Sequence, residues 1–192
     1  FRLGVTGGIG SGKTIICQML SVLKIPIYSA DDRAKWLMNH DHNLVQGIKS
    51  LIGPDSYKDG SLNRALLASK VFGDRHLLDE VNALVHPAVK VDFDHWTEQQ
   101  KSKVVAKEAA LLFETGGYRD LDKTWLVTSP LELRVSRVSQ RDPQRTREEI
   151  LSIIGKQWDD PKKEKLADYI IRNDDKQLVI PQVLAGVEGI RP

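Results

Sequence analysis

Gly7-Gly8-Ile9-Gly10-Ser11-Gly12-Lys13-Thr14 sets a glycine, four intervening residues and Gly-Lys-Thr behind the short apolar run Leu3-Gly4-Val5-Thr6. This spacing is a phosphate cradle. Glycines let the backbone turn its N–H groups inward onto phosphate oxygens. The helix that follows adds the positive end of its dipole. Lys13 reaches β- and γ-phosphates as a point charge, and Thr14 offers a hydroxyl to Mg²⁺. Gly8, Ile9, Gly10, Ser11, Gly12, Lys13 and Thr14 are therefore the candidate nucleotide-binding residues. By itself the motif does not separate a kinase from an ATPase or a GTPase.

Other residues carry chemistry that such a cradle needs. Asp31 follows the second apolar run, Ile25-Pro26-Ile27-Tyr28. A carboxylate there accepts a proton from an attacking hydroxyl or orders Mg²⁺ through water; capping the helix that starts at Asp32-Arg33 is the structural alternative. Glu108 directly follows a third strand at Val104-Val105-Ala106 and suits a water-mediated Mg²⁺ contact. Arg134, Arg137 and Arg141 recur at i, i+3 and i+7, so one helix face carries all three, while Leu131, Val135 and Val138 form a separate apolar face. A solvated basic face has the same pattern. Planar guanidiniums neutralise a transferring phosphoryl group bidentately, so Arg137 or Arg141 is expected to touch nucleotide phosphate. His86, before Pro87, reads from its neighbours as a packed helix histidine.

These residues need a sheet edge to converge on. Ile15, Ile16, Met19, Leu20 and Leu23 mark a first helix running to Lys24. Further strands are expected at Thr124-Trp125-Leu126-Val127-Thr128 and Tyr169-Ile170-Ile171, which makes five short apolar runs in all. Long helical stretches between them imply crossovers and a parallel sheet, an α/β fold. Residues 32–103 exceed one crossover, with turn signals at Gly53-Pro54-Asp55 and Lys58-Asp59-Gly60-Ser61, and are expected to form a helical subdomain over the carboxyl edge. Ser129-Pro130-Leu131-Glu132 and Thr146-Arg147-Glu148-Glu149 read as capped helix starts, and the polar turn Arg141 to Arg145 between those helices suits a hinged flap.

Composition limits the partners. A net charge of +2 over 192 residues argues against nucleic acid. Cys17, the single cysteine, excludes an internal disulfide and a cysteine-rich metal site and reads as a structural thiol in the first helix. No apolar run nears the roughly 18 residues of a membrane span, and no secretory pattern is seen. A cytoplasmic protein without membrane partners is expected.

The motifs together resemble the dephospho-coenzyme A kinase family, nearly end to end. The resemblance rests on Thr6 to Thr14, Ala30-Asp31 with Arg33-Ala34, Asp59-Gly60-Ser61-Leu62-Asn63-Arg64, Asn82-Ala83-Leu84-Val85-His86-Pro87, Leu111-Leu112-Phe113-Glu114, Arg137 to Asp142, Gln157, Ala167-Asp168 and Ile171-Arg172-Asn173. It implies a phosphate-loop kinase fold: a five-stranded parallel sheet with flanking helices, a helical substrate-binding insertion and a helical lid. The implied divisions are a nucleotide-binding core of 1–31, 104–136 and 167–192, a coenzyme A-binding subdomain of 32–103, and a lid of 137–166.

The implied reaction moves the γ-phosphate of ATP to the ribose 3′-hydroxyl of dephospho-coenzyme A. Asp31 would be the base, Lys13, the loop amides and Mg²⁺ would hold the triphosphate, and Arg137 and Arg141 would stabilise charge. Thr6, Asp31, Arg64, His86 and Glu114 would face the acceptor, Asn173 would border the ATP base, and Thr14 with Glu108 would meet the metal. A monomer or weak homo-oligomer is expected.

The chain departs from the family pattern at Ser29, where Asp is usual, at Ala110, where Pro is frequent, and at Arg134, where Gln is common. Rival readings are another small-acceptor kinase acting on a nucleoside monophosphate, gluconate or shikimate, and a nucleotide-binding switch protein. The guanine-reading Asn-Lys-x-Asp pattern of GTPase switches is absent.

Overall fold

The structure, a computed structural model, describes residues 1–190. In chain order the elements are β1 (Arg2–Thr6), α1 (Lys13–Val22), β2 (Ile27–Ser29), α2 (Ala30–His40), α3 (His42–Ile52), β3 (Tyr57–Lys58), β4 (Ser61–Leu62), α4 (Arg64–Val71) and α5 (Arg75–Glu98). They continue with β5 (Val105–Glu108), β6 (Lys123–Thr128), α6 (Leu131–Arg141), α7 (Arg147–Gly155), α8 (Asp160–Glu164), β7 (Tyr169–Arg172) and α9 (Val179–Glu188). Two compact units divide the chain: Phe1–Ser29 together with the chain from Gln100 onward, and Ala30–Gln99.

The first unit is built on a five-stranded sheet in the order β2-β5-β1-β6-β7. Every neighbouring pair is parallel. Parallel strands are covered on both faces, which explains why β1 is buried from Leu3 through Thr6. Leu3 and Val5 join Trp125, Val127 and Ile171 in a core with Ile16 and Leu20 of α1 and Val183 and Val187 of α9. Each large side chain so buried contributes about 1.5–3 kcal/mol. On the other face Gly4 sits so close to Leu112, Leu121 and Thr124 that a Cβ would lie 2.7 Å from two of them. Gly186 has the same role on α9, where a Cβ would stand 2.6 Å from the Trp125 ring.

Three local expectations are corrected. The first helix ends at Val22, not Lys24, because Lys24 adopts a left-handed φ of 66° that stops the helix. The third strand runs on to Glu108, so this carboxylate ends the strand instead of following it. Ser129 does not cap α6: Pro130 takes the cap position without a side-chain bond, and the Ser129 hydroxyl accepts from Arg137 instead. The expected box at Thr146 is formed, with Thr146 and Glu149 bonding reciprocally at 2.9 and 3.2 Å.

The second unit contains α2 to α5 and a small antiparallel hairpin of β3 and β4. The Lys58-Asp59-Gly60-Ser61 turn signal became this hairpin, with Asp59 at φ 51° and Gly60 at φ 76°, the paired positive angles a tight two-residue turn requires. Val81, Val85, Val89 and Phe93 recur every fourth residue and form the buried stripe of α5. Arg33 grips Asp92 with two bonds of 2.8 and 2.6 Å, fixing α2 on α5. No helix among the described residues is long and apolar enough to cross a membrane.

Candidate active site

The strand order reverses beside β1. From β1 the chain passes to β2, beyond β5; from β5 it passes to β6, on the other side of β1. Such a switch point opens a crevice at the carboxyl ends of the two strands, where open α/β sheets bind ligands. The glycine loop leaves β1 there, and Glu108 ends β5 there, in register with Val5 and with Ser29. Nζ of Lys13 donates to the Gly7 carbonyl at 2.9 Å and lies 3.8 Å from Oε1 of Glu108.

The loop conformation needs its glycines. Gly10 (φ 78°) and Gly12 (φ 97°) lie in the left-handed region. A Cβ on Gly10 would stand 2.5 Å from the Arg134 carbonyl, and one on Gly12 would collide with the Asn173 side-chain amide. No side chain caps α1, which leaves its amino end to a phosphate. Ser11 is 1% exposed, and its hydroxyl has no hydrogen-bond partner. A buried orphan hydroxyl inside a phosphate cradle fits an anion acceptor.

Three side chains hold the loop from behind. Arg134, 7% exposed, donates from Nε to the Ile9 carbonyl at 2.9 Å. Its Nη2 reaches Oε1 of Gln157 at 3.4 Å, and Nη1 lies 3.8 Å from Asp160. Gln157 accepts the Ile9 N–H at 2.9 Å. The Ile9 N–H, expected among the nucleotide contacts, is thus committed to Gln157. Asn173 donates to the Ser11 carbonyl at 2.9 Å, and its own carbonyl accepts from Arg137 at 3.1 Å. Arg137 also donates to Asp175 at 2.6 Å.

The three arginines share one side of α6 but not one environment. Arg134 is buried, Arg137 is partly buried on the Asn173 loop, and exposed Arg141 lies across Asp142 with bonds of 3.1 and 2.9 Å. The hydrogen bond from Arg141 holds the Asp142 carboxyl below the usual carboxylate range. Desolvation lowers the Arg134 pKa, opposed by the Asp160 charge.

The acceptor-side candidates are dispersed. Thr6 is fully buried, with Oγ1 3.5 Å from the Ala110 carbonyl. Glu114 accepts the Trp158 N–H at 3.0 Å and lies 3.1 Å from Nζ of Lys163, a fully buried lysine whose ammonium makes this ion pair without hydrogen-bond geometry. In the second unit Asp31 is exposed in the first turn of α2, inside the helix and not at its cap. Arg64 is exposed at the start of α4, which Asn63 caps through Leu66. His86 is on the exposed side of α5, next to buried Val85; its expected packing into a helix core is not seen.

Thr14, exposed in the first turn of α1, and Glu108 supply hard oxygen donors, the chemistry Mg²⁺ selects. No group of three or more His, Cys, Asp or Glu among the described residues could hold a metal alone. That fits an ion shared with substrate phosphates, as Mg²⁺ usually is. Sequence reading missed the roles of Arg134, Gln157 and Lys163. Arg134 carried a signal, its departure from the common Gln. Lys163 carried none, because it looks like any lysine of a polar helix.

Residues 1–178 match the family model for dephospho-CoA kinase. A dephospho-CoA kinase of Porphyromonas gingivalis is 35% identical over 189 residues, covering 98% of this chain and 94% of that protein. One of Chlorobium chlorochromatii is 38% identical over 180 residues, covering 90% and 84%. A crystal structure from Thermus thermophilus superposes with a TM-score of 0.88 at 31% identity, covering 100% of this chain and 98% of that one. The dephospho-CoA kinase of Campylobacter jejuni shares the fold, with a TM-score of 0.70 at 24% identity over 98% and 96% of the two chains. Matched along nearly its whole length by the family model and by these relatives, this chain belongs to the dephospho-CoA kinase family.

Proposed function

We propose that the chain transfers the γ-phosphoryl group of ATP to the ribose 3′-hydroxyl of dephospho-coenzyme A, the last step of coenzyme A biosynthesis. Membership of the family, over residues 1–178, carries the acceptor; the cradle supports the donor, with its positive-φ glycines, the buried Ser11 hydroxyl, and Lys13 beside Glu108 at the β1/β5 switch point. In this reading the N–H groups of Gly10, Gly12, Lys13 and Thr14 and the Ser11 hydroxyl hold the phosphates, and Lys13 leaves the Gly7 carbonyl to meet the β- and γ-oxygens. Thr14 and Glu108 would hold Mg²⁺, which would supply neutralisation of the charge that develops on the phosphoryl oxygens.

Asp31 lies two residues past Ser29, the strand residue in register with Glu108. It takes the proton of the 3′-hydroxyl as the new O–P bond forms. The bond from the γ-phosphorus to the bridging oxygen breaks, and ADP leaves with that electron pair. Arg137 and Arg141 stabilise charge from the 137–166 lid, and Arg64 and His86 orient the acceptor from the 32–103 subdomain. Closure excludes water as a competing acceptor. Asn173, already bonded to the loop at Ser11, borders the adenine. We place the enzyme in the cytoplasm as a monomer or weak homo-oligomer.

Incubation with ATP, Mg²⁺ and dephospho-coenzyme A should yield a product one phosphoryl group heavier, located on the 3′-oxygen by mass fragmentation. Phosphorylation of adenylate, gluconate or shikimate in preference to it, or ADP release with no phosphorylated product, would overturn the assignment.

A further inference from the structure

Ile9 is held at every group it has. Its carbonyl accepts from Arg134 at 2.9 Å, its N–H donates to Gln157 at 2.9 Å, and its side chain packs against Val135, Val138 and Ile150 of α6 and α7. The Arg134 guanidinium also lies flat enough on Gly8 that a Cβ there would collide with it, and the Arg134 backbone closes on Gly10. Burying a guanidinium is costly unless its donors are used. Asp160 at 3.8 Å repays only part of that cost. The remaining donors go to the loop and to the glutamine that holds the same loop residue.

We infer that Arg134 is a positioning residue for the phosphate loop, acting through Ile9 with Gln157 as its partner. The pair pins a loop residue whose N–H and carbonyl are both taken by side chains from outside the loop, and so presents the cup that follows it toward the nucleotide. A preformed cradle loses less freedom when ATP binds, so the effect falls on the nucleotide. The fixed cation adds attraction for the triphosphate through a poorly solvated path. The inference rests on the ATP reading above but concerns a residue that touches neither substrate.

The test is calorimetric titration of MgATP and, separately, of dephospho-coenzyme A into the native chain and folded variants. Arg134→Met is expected to weaken MgATP about tenfold or more, the scale of a lost charge-assisted bond, with dephospho-coenzyme A affinity within about twofold. Arg134→Lys is expected to recover little, since an ammonium cannot bond Ile9 and Gln157 in one plane. Arg134→Met with Gln157→Ala should be less than the sum of the two singles, since both act on Ile9. Should Arg134→Met not fold, Arg134→Gln carries the residue common in the family and is read by the same measurement, with an intermediate loss expected. Unchanged ATP affinity, equal loss for both ligands, full rescue by lysine, or simple additivity would each overturn the inference. A native chain that binds no ATP would instead overturn the proposed function.

Discussion

Nζ of Lys13 stands 3.8 Å from Oε1 of Glu108, joining the first turn of α1 to the end of β5 across the strand-order reversal. The same ammonium donates to the Gly7 carbonyl at 2.9 Å. The lysine is therefore held between an oxygen of its own loop and one at the end of β5. A triphosphate entering the cradle competes with both for that cation.

Lys13→Ala should lower turnover by about 10²-fold or more, since the cation is aimed at charge that develops in transfer. Glu108→Gln should keep Lys13 in place but raise the Mg²⁺ concentration needed for half-maximal rate. A magnesium titration of the coupled ADP-release assay reads both. An unaltered magnesium curve for Glu108→Gln would remove this carboxylate from the metal site.

Asp31→Asn should reduce kcat by roughly 10²–10⁴, the range for loss of a general base, with ATP affinity retained. Asn keeps the shape and removes the proton acceptor. Normal turnover in this variant would end the base assignment.

Arg137 and Arg141 should separate kinetically. Arg137 bonds the Asn173 carbonyl, and Asn173 bonds Ser11 in the loop. Arg137→Ala should thus weaken ATP binding as well as turnover. Exposed Arg141 bonds its partly buried neighbour Asp142, so Arg141→Ala should lower kcat by about 10²-fold while ATP affinity stays near the native value. Steady-state kinetics with ATP varied distinguishes them.

Lys163→Met should be strongly destabilising, because Glu114 Oε2 is already buried without a partner and the lysine supplies the compensating charge. Breaking a buried pair from one side costs about 3–5 kcal/mol, or about 6–20 °C in Tm for a chain of this size. Adding Glu114→Gln removes the stranded charge and keeps an oxygen for the Trp158 N–H, so the double variant should melt above Lys163→Met alone.

Burial first, then the Glu108 carboxylate, pushes the Cys17 thiol up to about 12, with Lys13 pulling the other way. The native state therefore keeps a proton that the unfolded chain loses above about pH 9, where the unfolded state binds fewer protons and stability falls as pH rises. That contribution is whole below pH 9 and lost progressively toward 12; by pH 10 the part lost is about 1.4 kcal/mol. Denaturant unfolding at pH 8 and pH 10 should show a smaller alkaline loss for Cys17→Ala than for the native chain. Alkylation of native Cys17 at pH 8 should be slow.

The local code was readable wherever one residue's chemistry has a single structural use. The glycines from Gly7 to Gly12, the Thr146 box, the Asp59-Gly60 turn and the fourfold spacing of Val81, Val85, Val89 and Phe93 each act over a few residues, through φ, a cap or a periodic face. Five short apolar runs with long helical connections likewise imply a parallel sheet, because parallel strands need crossovers and cover on both faces.

Pairings between segments distant in the sequence were decided elsewhere. Nothing in the spacing of Arg134, Arg137 and Arg141 says that the first turns under the loop to reach Ile9 while the last stays in solvent. Nothing near Glu114 announces Lys163. Charged side chains look alike in a sequence, and which of them is buried depends on where two distant segments close. The sequence alone therefore determined the cradle, the sheet and the candidate base. Only the tertiary structure decided which arginine supports the loop, which remains exposed, and which lysine is sealed against a carboxylate, because those choices follow from desolvation set by packing.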